Sequence, residues 1–566
     1  MGNQQTIQDQ TYDLIVIGGG INGAGVARDA ALRGLNTILI EKGDFCGGTT
    51  SWSTRLIHGG LRYLEYFEFA LVRESLRERE ILLHTAPHLV NPLLLTIPVY
   101  GDRSRPYWKI WAGMILYDAF SYDKTLPPYR MLSKQKFQQI FRHVDPDHLS
   151  GGAQYYDGQV AYAERLALEN ILSAEAAGAT VLNYTEATQL HRKGQQIESV
   201  TCKDVLSGDE FTVRGSDKVV VVNTAGPWVD EVLHRGYANG SKAPIGKDQK
   251  IGGTKGSHII VEPFPGAPVD SALYVEAKSD GRPFFIVPWL GMTLIGTTDL
   301  RYSGDLDDIK ADNDEIDYLI KETNSIIPTA QLSRNDVKFT YSGVRPLPNA
   351  EGKKPSSITR SHILYDHTPD GANNLISLIG GKITTYRQVG EEMVDLVYKK
   401  RGKSAPACPT RRKALPGAIL PSDQRMQQAT RTYQDRLSVA TIGHLFSIYG
   451  ARATEVLALI DSDPELAEAI APPVLDIKAQ IVFAVESEYA RTIADITRRR
   501  TSLAMRTDYG FKALPAIIET LEKHCGWSHS KIEKQVDYYR HFMESNCIPD
   551  YAIKQHKDEY AQVAVR

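Results

Sequence analysis

Cysteine is scarce: Cys46, Cys202, Cys408, Cys525 and Cys547 lie far apart and form no C-x-x-C pair. That spacing excludes a zinc ribbon and a disulfide framework, assigns no metal, and points to a reducing compartment. No apolar run approaches the length of a bilayer-spanning helix, so none is expected to cross a membrane. The opening MGNQQTIQDQ is polar and lacks the apolar stretch of a secretory signal, so export is not expected. A formal net charge of −3 leaves no overall basic footprint, and nucleic acid is not expected as a partner. Neither a repeat of fixed period nor a low-complexity tract is present.

What is there is a long chain of ordinary globular composition, and its 566 residues exceed what one hydrophobic core serves, so two or three units are expected. Its opening reads as a βαβ unit: an apolar strand over 12–17, a glycine-rich turn over 18–25, an alanine-rich helix over 26–33 closed by Gly34, and a second strand over 37–40. Inside it, Gly18, Gly20 and Gly23 form G-x-G-x-x-G around Asn22. The glycines allow a tight turn, close approach of a pyrophosphate and close helix–sheet packing, and the helix start supplies free N–H groups. Glu41, ending the second strand, is placed to accept hydrogen bonds from ribose hydroxyls.

After Glu41 comes KGDFCGGTTSWSTR, a loop of Gly, Ser and Thr rather than another βα unit. Thr50, Ser51, Ser53, Thr54 and Arg55 can bond a second stretch of cofactor, so FAD fits better than NAD, and Cys46 reads as an ordinary loop cysteine. The stretches KVVVVNTAGPW (218–228) and NLISLIGGKITTYR (374–387) read as further strands of the same sheet, making the nucleotide domain discontinuous. Ala225 and Gly226 let the first pass close to FAD. In the second, Gly380-Gly381 is expected to feed a helix at about Lys382, its N-terminus, with Ile383 and Thr384, set against the flavin pyrimidine. Between them HIIVEP, FFIVPW and TLIGTTD read as an antiparallel covering sheet. Residues 84–150 are rich in Pro, aromatics and basic residues. Beyond a linker at 408–423, IKAQIVFAVESEYARTIADI has apolar residues at helical spacing, and the RRR at 498–500 is expected on a solvated helix face or in contact with its own domain.

Taken together, DLIVIGGGINGAG, STRLIHGGLRYLE, NTAGPWVD, TKGSHIIV, IGTTD, TYSGVRPL, SSITR and GGKITTYR resemble the FAD-dependent glycerol-3-phosphate dehydrogenases, in family order and over nearly the whole chain. The resemblance implies an α/β plus α architecture: a glutathione-reductase-like, Rossmann-like FAD domain (10–83, 151–245, 341–400), a D-amino-acid-oxidase-type mixed β substrate cap (84–150, 246–340), and a C-terminal helical domain (401–566). It implies oxidation of sn-glycerol 3-phosphate to dihydroxyacetone phosphate on FAD, with electrons passed to a membrane quinone. A sister group that uses oxygen carries an insertion between the segments matching GVRPL and SSITR, where this chain has only PNAEGKKP; that favours the dehydrogenase. The alternatives are that oxidase, another flavin oxidase of the same fold, and a non-enzymatic flavin-binding scaffold.

Such a substrate needs a phosphate cradle and a base for its hydroxyl proton. Arginine grips phosphate oxygens bidentately, and the family motifs carry Arg345, Arg360 and Lys382 as first candidates for substrate contact, with Arg62 and Tyr63 second. Thr298 and Asp299 of GTTD order the site or cap their turn. His58 is the candidate base: an imidazole with a pKa near ~6.5 takes a proton near neutral pH, and Gly59-Gly60 lets the backbone approach the flavin. A histidine that only bonds the flavin or its loop is an equal alternative for it. Arg345 can stabilise the developing alkoxide. RSRPYWKIWAGMILYDAF (103–120) suits either a bilayer interface or a packed helix with a basic rim, and the resemblance tips the reading to peripheral attachment on the cytoplasmic face of the cell membrane. It also leaves room for a homodimer.

Overall fold

The computed structural model describes residues 4–553 apart from 239, 351, 353–357 and 421. Residues 353–357, which include the end of PNAEGKKP and the two serines of SSITR, therefore lie outside the described part.

Two 10-stranded sheets carry the molecule. At the centre of the first, Thr11–Ile17 runs parallel to Thr37–Ile40 on one side and to the end of Glu210–Asn223 on the other, and Leu375–Ile379 adds a further parallel strand beside Glu210–Asn223. These are the strands the apolar runs marked, and the domain is discontinuous as expected. Their side chains are buried on both faces: helices Ile21–Leu32, Ala163–Ala176 and Tyr386–Lys400 cover one, and strands Thr185–Lys193 and Gln196–Asp204 with helix Val229–His234 cover the other.

The helix after the first strand starts at Ile21, not at 26. Gly23 and Gly25 lie inside its first turns rather than in the preceding loop, because both are points of contact. A Cβ on Gly23 would stand 1.9 Å from the Gly18 carbonyl oxygen, and one on Gly25 2.8 Å from the Tyr386 ring. Their glycines serve packing, not chain reversal.

In the second sheet Thr254–Val261 lies antiparallel to Met292–Gly296 and Val337–Arg345, and Pro283–Trp289 to Met292–Gly296, the covering sheet expected from HIIVEP, FFIVPW and TLIGTTD. Two expected boundaries move. Leu149–Val160 is hydrogen-bonded along its length to Val90–Tyr100, so residues 151–160 go with the cover and not with the FAD domain, and Val337–Arg345 stays in the cover to its last residue.

The helical tail is not a separate bead. One core cluster joins Leu14, Ala24 and Val222 to Ile442, Val456 and Phe483, and another joins Leu95, Val287 and Phe339 to Ile517, Val536 and Tyr539, so the C-terminal helices share apolar surface with both sheets. The stretch read as one helix breaks. Lys478–Ser487 ends, Tyr489 turns left-handed (φ 61°), and Ile493–Asp495 restarts under a Thr492 side-chain cap before passing into the wide turn Ile496–Arg500.

No helix among the described residues is long and apolar enough to cross a membrane. The 103–120 stretch forms helix Tyr107–Phe120, which leaves Trp108 and Trp111 68% and 50% exposed. Ile115 and Leu116 are exposed beside them, as are Phe67 and Phe69, with Phe69 packed on the Phe120 ring.

Candidate active site

A cavity of about 760 Å³ runs between the two sheets. At one end the first strand stops at Gly18 (φ 105°), whose N–H donates to the Ile40 carbonyl, and the helix starting at Ile21 aims its first N–H groups inward. Thr50 Oγ accepts from Ile21 N at 3.0 Å, tying the 42–55 loop to this helix start. Glu41 lines the cavity and accepts from Gly19 N (2.6 Å) and Gly43 N (2.8 Å); burial pushes its pKa up against these two bonds. Gly381 (φ 91°) lies against this same helix start, so close to Asn22 that a Cβ there would stand 2.8 Å from its amide nitrogen. The expected helix start at Lys382 is displaced: residues 382–385 form a turn and the helix begins at Tyr386.

Gly18, Gly20, Asn22, Glu41, Thr50, Ser53, Thr54, Arg55, Ala225, Gly226, Gly381, Lys382, Ile383 and Thr384 all line this one cavity, although they come from four separated stretches of chain. Three of the residues expected to hold cofactor face elsewhere or are already committed. Gly23 sits in the helix against Gly18 and off the wall. Ser51 is wholly buried, its hydroxyl donating to the Cys46 carbonyl at 2.7 Å. Arg55 touches the cavity, but its guanidinium is held by both Glu164 oxygens (2.7 and 2.8 Å) and by the Ser51 carbonyl. The two are struts of the loop. What fits a long dinucleotide is left over on the wall: Asn22 Oδ1 and Trp228 Nε1 are buried polar atoms without a hydrogen-bond partner among the described residues, which in a finished interior costs free energy unless a ligand supplies the partner.

The other region of the cavity is cationic. Arg345, at the end of Val337–Arg345, donates through Nη1 to Asp299 Oδ1 (3.2 Å) and through Nη2 to Thr297 Oγ1 (3.0 Å). Arg360 reaches the other Asp299 oxygen at 3.4 Å. One carboxylate thus orients two guanidiniums. The space is made by Gly256, where a Cβ would come 2.2 Å from Arg345 Nη2. Burial lowers the Arg345 pKa; Asp299 opposes this and Arg360 and Arg62 add to it. Lys382 Nζ donates to Ser75 Oγ at 2.6 Å and stands 4.7 Å from the centre of the Tyr63 ring. Its pKa is lowered to about 8 by burial, against the pull of Glu74 and Glu68 and with the push of Arg360.

The remaining substrate candidates divide. Tyr63 lines the cavity, whereas Arg62 does not and donates to the Tyr66 hydroxyl at 3.3 Å. Thr298 is buried with its hydroxyl spent: it donates to Glu315 (2.6 Å) and accepts from Ser257 N (2.8 Å). Thr298 holds the GTTD turn, and Asp299 acts through the two arginines.

His58 faces the same cavity, its ring edge-on to Phe285 with centroids 6.0 Å apart. The His58 backbone N–H donates to Thr384 Oγ1 at 3.2 Å, linking the HGG loop to the GGKITT turn. Burial lowers the His58 pKa, opposed by Asp157 and reinforced by Lys382, so the imidazole is neutral and able to accept a proton at neutral pH. Gly59 is pinned by the Tyr117 hydroxyl, 2.9 Å from its N–H, and a Cβ there would collide with that oxygen and with Leu76 at 2.5 Å.

Among the wall residues that sequence reasoning missed, two groups stand out. His258, in TKGSHIIV, lies 2.9 Å from Thr54 Oγ1 and is held neutral by burial; its place in a quoted motif was the available signal. Arg499, Tyr538, Phe542 and Asn546 reach the cavity from the C-terminal helices, and no local pattern marked them.

Comparison with known proteins agrees with this geometry. Residues 13–387 match the family described as FAD dependent oxidoreductase, and residues 408–532 the C-terminal domain of alpha-glycerophosphate oxidase. The chain is similar to a glycerol-3-phosphate dehydrogenase of Synechocystis sp., 62% identical over 555 residues covering 98% of this chain and all of that protein. It is similar to a D-erythritol 1-phosphate dehydrogenase of Brucella abortus, 37% identical over 87% of this chain and 95% of the relative. Among solved structures, the glycerol-3-phosphate dehydrogenase from Bacillus halodurans complexed with FAD superposes with a TM-score of 0.76 at 26% identity, covering 96% of both chains.

Proposed function

The chain belongs to the FAD-dependent oxidoreductases, in the glycerol-3-phosphate dehydrogenase family, and from that premise we propose that it oxidises sn-glycerol 3-phosphate to dihydroxyacetone phosphate and hands the electrons to a membrane quinone. The observation that carries the substrate is the convergence of Arg345, Arg360 and Lys382 on the region of the cavity that also holds His58. A carboxylate substrate would need one cation; three suit a phosphate of nearly two negative charges.

The Gly18–Gly20 turn with the following helix start would hold the FAD pyrophosphate, Glu41 a ribose, and residues 381–384 the pyrimidine end of the flavin. Bound there, FAD supplies a two-electron acceptor for the hydrogen on C2 of the substrate. Arg345, Arg360 and Lys382 grip the phosphate and so fix the distance from the anion to the reacting carbon. Neutral His58 takes the C2 hydroxyl proton. Arg345 stabilises the negative charge that builds on that oxygen, and Asp299 keeps the Arg345 fork aimed. The test is anaerobic mixing of the yellow holoenzyme with glycerol 3-phosphate, D-erythritol 1-phosphate, glycerol or glycine while flavin absorbance is followed. Rapid bleaching by glycerol 3-phosphate alone is the expected result; an unchanged spectrum rejects the reading, and faster bleaching by the longer polyol phosphate reassigns the substrate.

Attachment to the membrane is supported by the exposed Trp108, Trp111, Ile115 and Leu116 together with Phe67 and Phe69. The basic rim read from the sequence is largely spent: Arg105 is paired with Glu65 (2.9 Å) and Glu276 (3.0 Å), and Lys109 with Glu65 (3.2 Å). We therefore propose attachment by apolar insertion rather than by anionic lipid. The protein should float with neutral and with anionic liposomes alike, and Trp108→Ser with Trp111→Ser should leave it at the bottom of the gradient.

A further inference from the structure

The C-terminal helices lend the cofactor cavity part of its wall. Arg499, Tyr538, Phe542 and Asn546 line it from that side. Phe542 stacks on Trp52 with ring centroids 6.5 Å apart, and Trp52 belongs to the 42–55 loop that forms the facing wall. The same loop is gripped at two more points. Asp44 accepts from Arg499 Nε at 2.6 Å and from both Nη atoms of Arg500 at 2.7 and 2.8 Å. The Ser51 carbonyl accepts from Arg498 Nη2 at 3.2 Å.

A third segment closes the circuit. Leu306, Asp307 and Ile309 line the cavity from the covering domain. Asp307 takes both of its carboxylate bonds from Lys42 (2.6 and 2.9 Å), while Lys310 donates to the Glu544 carbonyl (2.7 Å) and to Asp550 (2.6 Å) at the end of helix His529–Asn546. The loop, the 302–312 segment and this helix are thus joined around one cavity by the partly exposed Lys42–Asp307 and Lys310–Asp550 pairs, the Lys310 bond to the Glu544 carbonyl and the Phe542–Trp52 ring contact, and the pairs of Asp44 with Arg499 and Arg500 are the buried ones. Buried ion pairs are weak contributors to net stability, because desolvation offsets their attraction; what they supply is a fixed geometry.

We infer that the C-terminal domain is a working part of the FAD site, in which Arg499 and the Phe542 face of helix His529–Asn546 hold the 42–55 loop closed over the cofactor and retard its release. This inference rests on FAD binding alone and is independent of the substrate.

The experiment uses the holoenzyme and follows FAD release after dilution by the rise of free-flavin fluorescence, with the melting temperature of each apoprotein measured alongside. Arg499→Gln is expected to speed release by about tenfold, the size of one lost charge-assisted contact, and Phe542→Ala by about the same factor through loss of its stacking on Trp52. Arg499→Lys, which keeps the charge facing Asp44, should recover most of the retention. If Arg499→Gln does not fold, Phe542→Ala decides, since it removes a partly exposed ring and leaves no unpaired charge. Release within about twofold of wild type in the folded variants overturns the inference, and so does faster release that merely tracks a lower apoprotein melting temperature.

Discussion

Two clusters of basic side chains in this molecule are both buried and are built on opposite plans. In the C-terminal cluster every guanidinium faces at least one carboxylate, two of them on the shared Asp44: Arg498 meets Glu164 at 2.9 Å, Arg499 meets Asp44 and Asp495 at 2.6 and 2.5 Å, and Arg500 meets Asp44 at 2.7 Å. In the cavity, Arg345 and Arg360 lean on the one carboxylate of Asp299, and Lys382 donates to a serine hydroxyl. The electrostatics follow. Despite burial, the carboxylates raise the pKa values of Arg499 and Arg500, whereas those of Arg345 and Lys382 are lowered. Arg498, which shares Glu164 with Arg55, is lowered too, by burial. A neutralised cluster is part of the framework; a cluster left short of negative charge is a site for an anion.

That contrast can be broken by mutation. The largest effect is expected from Arg500→Met, which takes from buried Asp44 its two Arg500 bonds and leaves it only Arg499 as a guanidinium partner: loss of one partner of a buried pair costs about 3–5 kcal/mol of stability, read as a lower urea midpoint. Arg360→Ala should do the reverse, costing about 1.5–3 kcal/mol in kcat/KM through lost phosphate bonds while the urea midpoint stays level or rises, since repulsion with Arg345 is relieved. If Arg360→Ala unfolds the protein instead, the cavity cluster is framework as well and the distinction fails.

The clusters should also differ with pH. With Lys382 held to about 8, kcat/KM should fall as pH rises through that value, because the ammonium loses the charge that meets the phosphate. An acid limb should appear below the ordinary imidazole range as His58 protonates. The framework carboxylate moves the other way. Burial raises the Glu164 pKa, but Arg55 and Arg498 outweigh it and bring it down to about 2. Its contribution to stability is therefore complete above the ordinary glutamate pKa, declines as pH falls below that value and is gone once pH has fallen through about 2. Across the activity profile, Glu164 should leave the urea midpoint unmoved. The smallest effect belongs to the exposed Lys42–Asp307 pair, where Lys42→Ala should cost less than about 1 kcal/mol of stability.

How much of this was legible in the sequence follows from range. The βαβ opening, the two later parallel strands and the covering strands were readable because each is a local apolar pattern bounded by Gly, Pro or Asp. The extent of the glycine turn was misread: Gly23 and Gly25 were placed in it but lie in the helix, Gly25 against Tyr386 and Gly23 against Gly18, in the close packing the fingerprint implied. Thr298 belonged to a site-like motif, yet its hydroxyl is consumed by Glu315 and Ser257, partners that no spacing discloses. RRR was expected on a solvated face or within its own domain, since charge runs usually lie in solvent. Two of its three carboxylate partners, Asp44 and Glu164, stand hundreds of positions upstream, and the third, Asp495, a few residues before it.

Local sequence was enough to establish a dinucleotide fold, to favour FAD over NAD, and to nominate a histidine and several cations for one reaction, because each rests on short-range backbone geometry or on the chemistry of a side-chain type. Only the folded chain decided which cations keep their charge for a ligand and which spend it on a carboxylate, and that the C-terminal helices reach the cofactor cavity. Charge compensation and cavity walls are made by residues far apart in the chain, and such pairings exist only once tertiary packing has brought them together.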